Sequence, residues 1–246
     1  MIRFLFICIF LVLILILLIP VLLVERIIGK FSPLKKDISS LRIVQAAFRF
    51  FLKLAGVKVT VIGEENIPED TAVLYIANHR SYFDILLTYV RCKRRTGFVA
   101  KKEMERYPLL SNWMRNLHCL FLDRKNIKEG LKTILEAIEK MKAGISIFIF
   151  PEGTRNKADS DLELLPFHAG SFKIATKSNC PIVPVAMNNT CQIFEAHAPK
   201  VKSTHVVIEY CKPIYPDQLD KETLKHIETY TQNIILETLK KNQELV

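Results

Sequence analysis

From Phe4 to Val24 the chain runs 21 residues without a charged side chain, and this run limits what the remainder can be. Wound as one helix it would be ~31 Å long, close to the ~30 Å hydrocarbon core of a bilayer. Only Cys8 and Pro20 interrupt its hydrophobic residues. A cleaved leader has a shorter apolar region followed by small residues; Glu25-Arg26 follows here, so a retained membrane anchor is expected. Arg26, Lys30, Lys35, Lys36 and Arg42 follow the run and only Arg3 precedes it, which would put the rest of a spanning chain on the cytoplasmic face. Pro20 leaves a second geometry open, a helix that breaks and turns back within one leaflet.

A second apolar stretch, LRIVQAAFRFFLKLAGV, carries Arg42, Gln45, Arg49 and Lys53 at intervals of three or four, a narrow polar stripe on a helix. Leu41, Val44, Phe48, Phe51 and Leu52 cover the other faces. Beside an anchor, with arginines able to snorkel, an interfacial helix is expected in preference to a core element. The expected division is therefore membrane-anchoring helices over residues 1–56 and a folded domain over residues 57–246.

The pattern changes at Val57. VKVTVIG, TAVLYIA, TGFVA, CLFLD, ISIFIF, IVPVAM and THVVIEYC read as strands. Helical spacing separates most of them, most clearly in IKEGLKTILEAIEKMKAG, which ends on a glycine stop. Such alternation predicts an α/β domain with a single mixed sheet covered by helices, though not its strand order. The formal charge of +10 favours anionic partners. Nucleic acid fits that charge but not the apolar anchor, and no basic–aromatic recognition motif is present. The six cysteines, at 8, 92, 119, 180, 191 and 211, have no C-x-x-C or zinc-like spacing, so they are expected reduced and no metal or redox cofactor is implied.

Chemistry concentrates where apolar strands end. Asn78-His79-Arg80-Ser81-Tyr82-Phe83-Asp84 follows AVLYIA directly. An aspartate in the first turns of the next helix can fold back onto the imidazole, fix its tautomer and free its other nitrogen to take a proton from a hydroxyl. A plainer account also fits, in which Asn78 or Ser81 caps the helix and His79 is incidental. The strand ISIFIF delivers Pro151-Glu152-Gly153-Thr154-Arg155, a turn whose N–H groups, hydroxyl and guanidinium suit a phosphate, or which is simply a solvated turn. CLFLD ends at Asp123-Arg124, and FVAKKE runs into Lys101 and Lys102. Basic residues at successive strand ends, Lys101, Arg124 and Arg155, suggest convergence on an anion.

These stretches together resemble the 1-acylglycerol-3-phosphate acyltransferase family. Its N-H-x4-D block is similar to Asn78, His79 and Asp84; its second block to LFLDR at 120–124; its F-P-E-G-T-R block to Phe150–Arg155; its proline-framed strand to PIVPV at 181–185. AKKE at 100–103 and the spaced Phe167, Gly170, Phe172 and Ala175 also fit. Two positions depart: His118 stands where the family usually has glycine, and His168 where it often has lysine.

The resemblance implies acyl transfer from a thioester of coenzyme A or acyl carrier protein to the sn-2 hydroxyl of 1-acylglycerol 3-phosphate, with phosphatidic acid as product. It implies His79 as base and Asp84 as its orienting partner. Lys101, Arg124 and Arg155 would hold the acceptor's phosphate, and Asn78, Glu152, Gly153 and Thr154 would shape the pocket. No acyl-enzyme is needed, in keeping with the lack of a G-x-S-x-G elbow. Rival readings are a related glycerolipid acyltransferase that uses glycerol 3-phosphate or another lysolipid, and a non-catalytic membrane-tethered module that binds anionic lipid.

Overall fold

A computed structural model describes residues 2–246. Seven strands form one sheet: β1 (Lys58–Ile62), β2 (Leu74–Ala77), β3 (Thr96–Lys101), β4 (Leu120–Leu122), β5 (Ser146–Ile149), β6 (Ile182–Asn188) and β7 (His205–Tyr210). Their order across the sheet is β1-β7-β6-β2-β5-β3-β4. The five strands from β6 to β4 are parallel; β7 runs antiparallel to β6, and β1 pairs parallel with β7. The carboxyl ends of β6, β2, β5, β3 and β4 therefore open on one edge.

The helices are α1 (Ile2–Leu17), α2 (Ile19–Phe31), α3 (Pro33–Ala55), α4 (Phe83–Tyr89), α5 (Pro108–Asn116), α6 (Ile127–Lys142), α7 (Lys173–Ser178), α8 (Lys221–Lys225) and α9 (Ile227–Lys241). Side-chain alternation sends Val73, Tyr75 and Ala77 to one sheet face, against α3, α4 and α5, and Leu74 and Ile76 to the other, against α6, α7 and α9. With both faces covered, every residue of β2, β5 and β6 is buried, which is why these strands read as unbroken apolar runs.

The amino-terminal run is not one helix. It breaks at Leu18 into α1 and α2, bent by 44°, with Pro20 in the first turn of α2. No single helix among the described residues is long and apolar enough to cross a membrane, although the bent pair together meets that test. The pair leaves Ile2, Leu5, Val12, Ile16, Leu17, Leu23, Val24 and Ile27 exposed, each by half or more. Glu25 is buried at its far end, where Ser39 and Ser40 donate to its two oxygens at 2.6 and 3.2 Å and tie α2 to α3.

Residues 41–55 of α3, expected as an interfacial helix in preference to a core element, bury one face in the core. Arg42, Arg49 and Lys53 are exposed, but Leu41, Val44, Leu52 and Ala55 belong to the main core. Gln45, expected on the polar stripe, is buried and donates to the carbonyls of Tyr89 and Cys92 at 3.1 and 2.8 Å. The reason is the width of the apolar surface, which is enough to cover α4 and α5 on one side. Asp37, near the start of α3, lies 2.8 Å from His118 Nε2 and 3.6 Å from Arg95, joining the same helix to the β3–β4 region.

Candidate active site

The sheet order places β2 beside β5, so the segment after Ala77 meets the turn after Ile149. Asn78 fixes the end of β2: its amide donates to the Met187 carbonyl and accepts the Met187 N–H, both at 2.9 Å, clamping β2 to β6. Asn78 is fully buried, which makes this two-way bond the means of satisfying it.

His79 Nδ1 lies 2.8 Å from Asp84 Oδ2. The same oxygen accepts the N–H groups of Arg80 and Ser81, each at 2.8 Å, so the carboxylate of α4 curls the preceding segment around itself. Of the two residues offered as caps, Asn78 is bonded to Met187 instead, while Ser81 Oγ accepts the Phe83 N–H at 3.1 Å beside the His79–Asp84 pair. The imidazole stacks on Phe150 with centroids 4.1 Å apart and rings 19° from parallel. With Nδ1 turned to Asp84 and the side chain 15% exposed, Nε2 is the nitrogen available to an incoming hydroxyl.

Glu152 supports this from the turn after β5. Its Oε1 accepts the His79 N–H at 2.7 Å and its Oε2 the Leu165 N–H at 3.1 Å. Burial pushes the Glu152 carboxyl above its ordinary pKa, against the opposing pull of those two N–H donors. The His79 carbonyl accepts the Asn156 N–H at 2.7 Å, so both main-chain groups of His79 are bound by the 150s turn. Gly153 makes that turn at φ +70, and a Cβ there would sit 3.2 Å from the His168 ring, which lies over it. Thr154 is exposed.

The three basic residues are spread along the edge. Lys101 ends β3 and Arg124 follows β4, one and two strands beyond β5, and both are exposed. At ~4.8 Å per strand, the end of β4 is roughly 14 Å from the end of β2. Arg155 is turned the other way: its Cζ sits 3.5 Å from the centre of the Tyr82 ring and its Nη1 donates to Glu195 at 3.2 Å. Lys102 pairs with Asp123 at 3.2 Å, linking the ends of β3 and β4.

Several contributors were not anticipated from the sequence. Arg80 is buried, with its guanidinium donating to the carbonyls of Ala158 and Ser160 and pairing with Asp161 at 3.1 Å, which fastens the 157–161 loop to the His79 segment. Asn156 and Glu195 are the others. Nothing local to Glu195 marks it, because its partners lie 40 and 113 residues away. His118 adopts φ 60, the backbone state that glycine takes most readily, and its carbonyl would be 2.2 Å from a Cβ on Gly97. Among the described residues no group of three or more metal-ligating side chains is found.

A family model described as Acyltransferase matches residues 58–188. The chain is 30% identical over 200 residues to a 1-acyl-sn-glycerol-3-phosphate acyltransferase of Saccharomyces cerevisiae, covering 80% of this chain and 65% of that one. It is 33% identical over 151 residues to the protein of that name from Borreliella burgdorferi, covering 61% and 59%. The chain thus spans less than two thirds of the length of these two relatives. Its fold is similar to the crystal structure of the 1-acyl-sn-glycerophosphate (LPA) acyltransferase from Thermotoga maritima, with a TM-score of 0.73 at 24% identity over 90% of this chain and 94% of that one.

Proposed function

The chain belongs to the acyltransferase family, and from that premise we propose that it transfers a fatty acyl group to the sn-2 hydroxyl of 1-acylglycerol 3-phosphate, forming phosphatidic acid. The donor is a thioester of coenzyme A or acyl carrier protein. The observation that carries the reading is the His79–Asp84 pair, 2.8 Å apart through Nδ1 at the carboxyl end of β2, with no hydrogen bond to Nε2 among the described residues.

In this reading Nε2 of His79 takes the proton of the acceptor hydroxyl as its oxygen attacks the thioester carbonyl. The imidazolium that forms is stabilised by Asp84, whose own charge is steadied by two main-chain N–H groups. Collapse of the tetrahedral intermediate completes the C–O bond and breaks the C–S bond, and the departing thiolate recovers the proton from His79. Arg155 holds the acceptor's phosphate beside His79, with Lys101 and Arg124 adding positive charge from β3 and β4. Asn78, Glu152, Gly153 and Thr154 fix the two turns that frame the reaction.

The exposed apolar face of α1 and α2 supports attachment at a membrane, and Arg26, Lys30, Lys35, Lys36 and Arg42 after the run favour the α/β part on the cytoplasmic face. That placement suits the chemistry, because acceptor and product stay in the bilayer while the donor arrives from water. The test is acyl transfer from oleoyl-coenzyme A, and separately from oleoyl-acyl carrier protein, to lysophosphatidic acid in detergent micelles. Product with lysophosphatidic acid and not with glycerol 3-phosphate is the expected result; the reverse preference sinks the acceptor assignment.

A further inference from the structure

Glu195 opens a short 3-10 turn, Glu195–His197, after β6, outside every stretch that resembles the family. Its carboxylate gathers three donors from two other segments: Ser81 Oγ at 2.7 Å on Oε2, with the Tyr82 N–H at 2.8 Å and Arg155 Nη1 at 3.2 Å on Oε1. Tyr82 in turn lies under the Arg155 guanidinium at 3.5 Å. Arg155 is therefore fixed at one nitrogen and across one face, while its side chain remains 31% exposed and pairs with no carboxylate other than Glu195 among the described residues.

The turn that carries Glu195 is itself well seated. Ile193 is fully buried, and Phe194 stacks on Phe4 of α1 with centroids 5.2 Å apart and rings 9° from parallel. The Lys202 N–H bonds to the Ile193 carbonyl at 2.9 Å. A long, flexible guanidinium normally loses much rotamer freedom when it grips an anion; one already fixed by a carboxylate and an aromatic face loses less.

We propose that Glu195 is a positioning residue for the acceptor: it holds Arg155 against Tyr82 so that the free guanidinium edge meets the phosphate of the lipid beside His79. This rests on the acyl-transfer reading above. The carboxylate does not cancel Arg155 as an anion site, because one of the five guanidinium N–H donors is used and the charge of Glu195 is shared with Ser81 and Tyr82. The apolar helix α1, through Phe4 and Phe194, supports the same turn, so the lipid-facing part of the chain and the phosphate contact share one strut.

The experiment measures acceptor binding to the full chain in dodecyl maltoside micelles by calorimetry, in a His79→Ala background that does not turn the acceptor over. The ligands are 1-oleoylglycerol 3-phosphate and 1-oleoylglycerol, which differ only in the phosphate. Glu195→Gln keeps an oxygen for the Tyr82 N–H but not the charge; it is expected to weaken the phosphate-bearing ligand about tenfold while 1-oleoylglycerol stays within about twofold. With His79 restored, Glu195→Gln should raise the acceptor KM by a similar factor and change kcat little. Unchanged phosphate binding in the variant overturns the proposal. So does an equal loss for both ligands together with a lower Tm, which would make Glu195 structural only. If the His79→Ala parent itself fails to distinguish the two ligands, the acceptor reading fails first and the role of Glu195 goes with it.

Discussion

Oε1 of Glu152 accepts the main-chain N–H of His79 at 2.7 Å, across 73 residues of sequence. The residue at the centre of the F-P-E-G-T-R stretch is thus bonded to the backbone of the histidine it serves, and its other oxygen fastens Leu165 at 3.1 Å. Glu152→Gln replaces one of these acceptors with an amide donor that faces an N–H. A buried N–H left without a partner costs about 1–3 kcal/mol. The expected result is a lower Tm and a lower kcat with acceptor KM little changed, read by thermal denaturation and initial rates. The raised pKa adds a pH signature. A carboxyl whose folded pKa lies above its unfolded value binds its proton more tightly in the native chain, so its contribution declines as pH rises from the unfolded to the folded value. Glu152→Gln should remove that decline from the wild-type stability curve.

His79→Ala should lower kcat for acyl transfer by about 10²–10⁴-fold, the range for loss of a general base. Asp84→Asn should fall by about a hundredfold or more, since it leaves a neutral partner for the imidazolium. Circular dichroism on both variants separates lost chemistry from lost fold. Wild-type rates in folded His79→Ala would place the base elsewhere.

Arg155→Ala should raise the acceptor KM about tenfold or more, as expected for a charge-assisted phosphate contact. Arg155→Lys should recover only part of this, because an ammonium cannot stack flat on Tyr82 or offer a planar fork. Lys101→Ala and Arg124→Ala should raise the same constant less, since they stand one and two strands beyond β5. A larger effect at Arg124 than at Arg155 would move the phosphate toward β4.

His118 is held by burial below its ordinary pKa, with Asp37 at 2.8 Å working in the opposite direction. A base with a depressed folded pKa binds fewer protons in the native chain, so its stabilising contribution is present above the unfolded value and is lost as pH falls through the folded one. His118→Asn, which tolerates the φ of 60, should flatten the loss of stability on acidification from about pH 6.5 downward. Urea titrations of both proteins across that range decide it; parallel curves would exclude His118 as the source.

Gly97→Ala should destabilise by about 1–3 kcal/mol or more, because its Cβ would lie 2.2 Å from the His118 carbonyl in rigid backbone. Gly170→Ala is the contrast, with nothing within 4 Å of the new carbon. A comparison of their Tm values tests the close approach directly. Equal stabilities would mean that the backbone at His118 yields.

The sequence by itself determined the parts that depend on near neighbours. The strands were legible because β2, β5 and β6 are buried throughout and almost wholly apolar, and α6 because its spacing and the glycine stop at Gly144 act within a few residues. Asn78, His79, Asp84 and the 150–155 turn stood out for the same reason, as short patterns at strand ends. Only the tertiary structure decided which strand ends meet. It put β2 against β5, gave Glu152 to the His79 backbone, turned Arg155 toward Tyr82 and Glu195, and left Lys101 and Arg124 farther along the edge. It also bent the amino-terminal run at Leu18 and buried Gln45. Periodicity and turn chemistry act over a few residues. Strand order and long-range side-chain contacts are set by how whole apolar faces pack, and that packing depends on the entire chain at once.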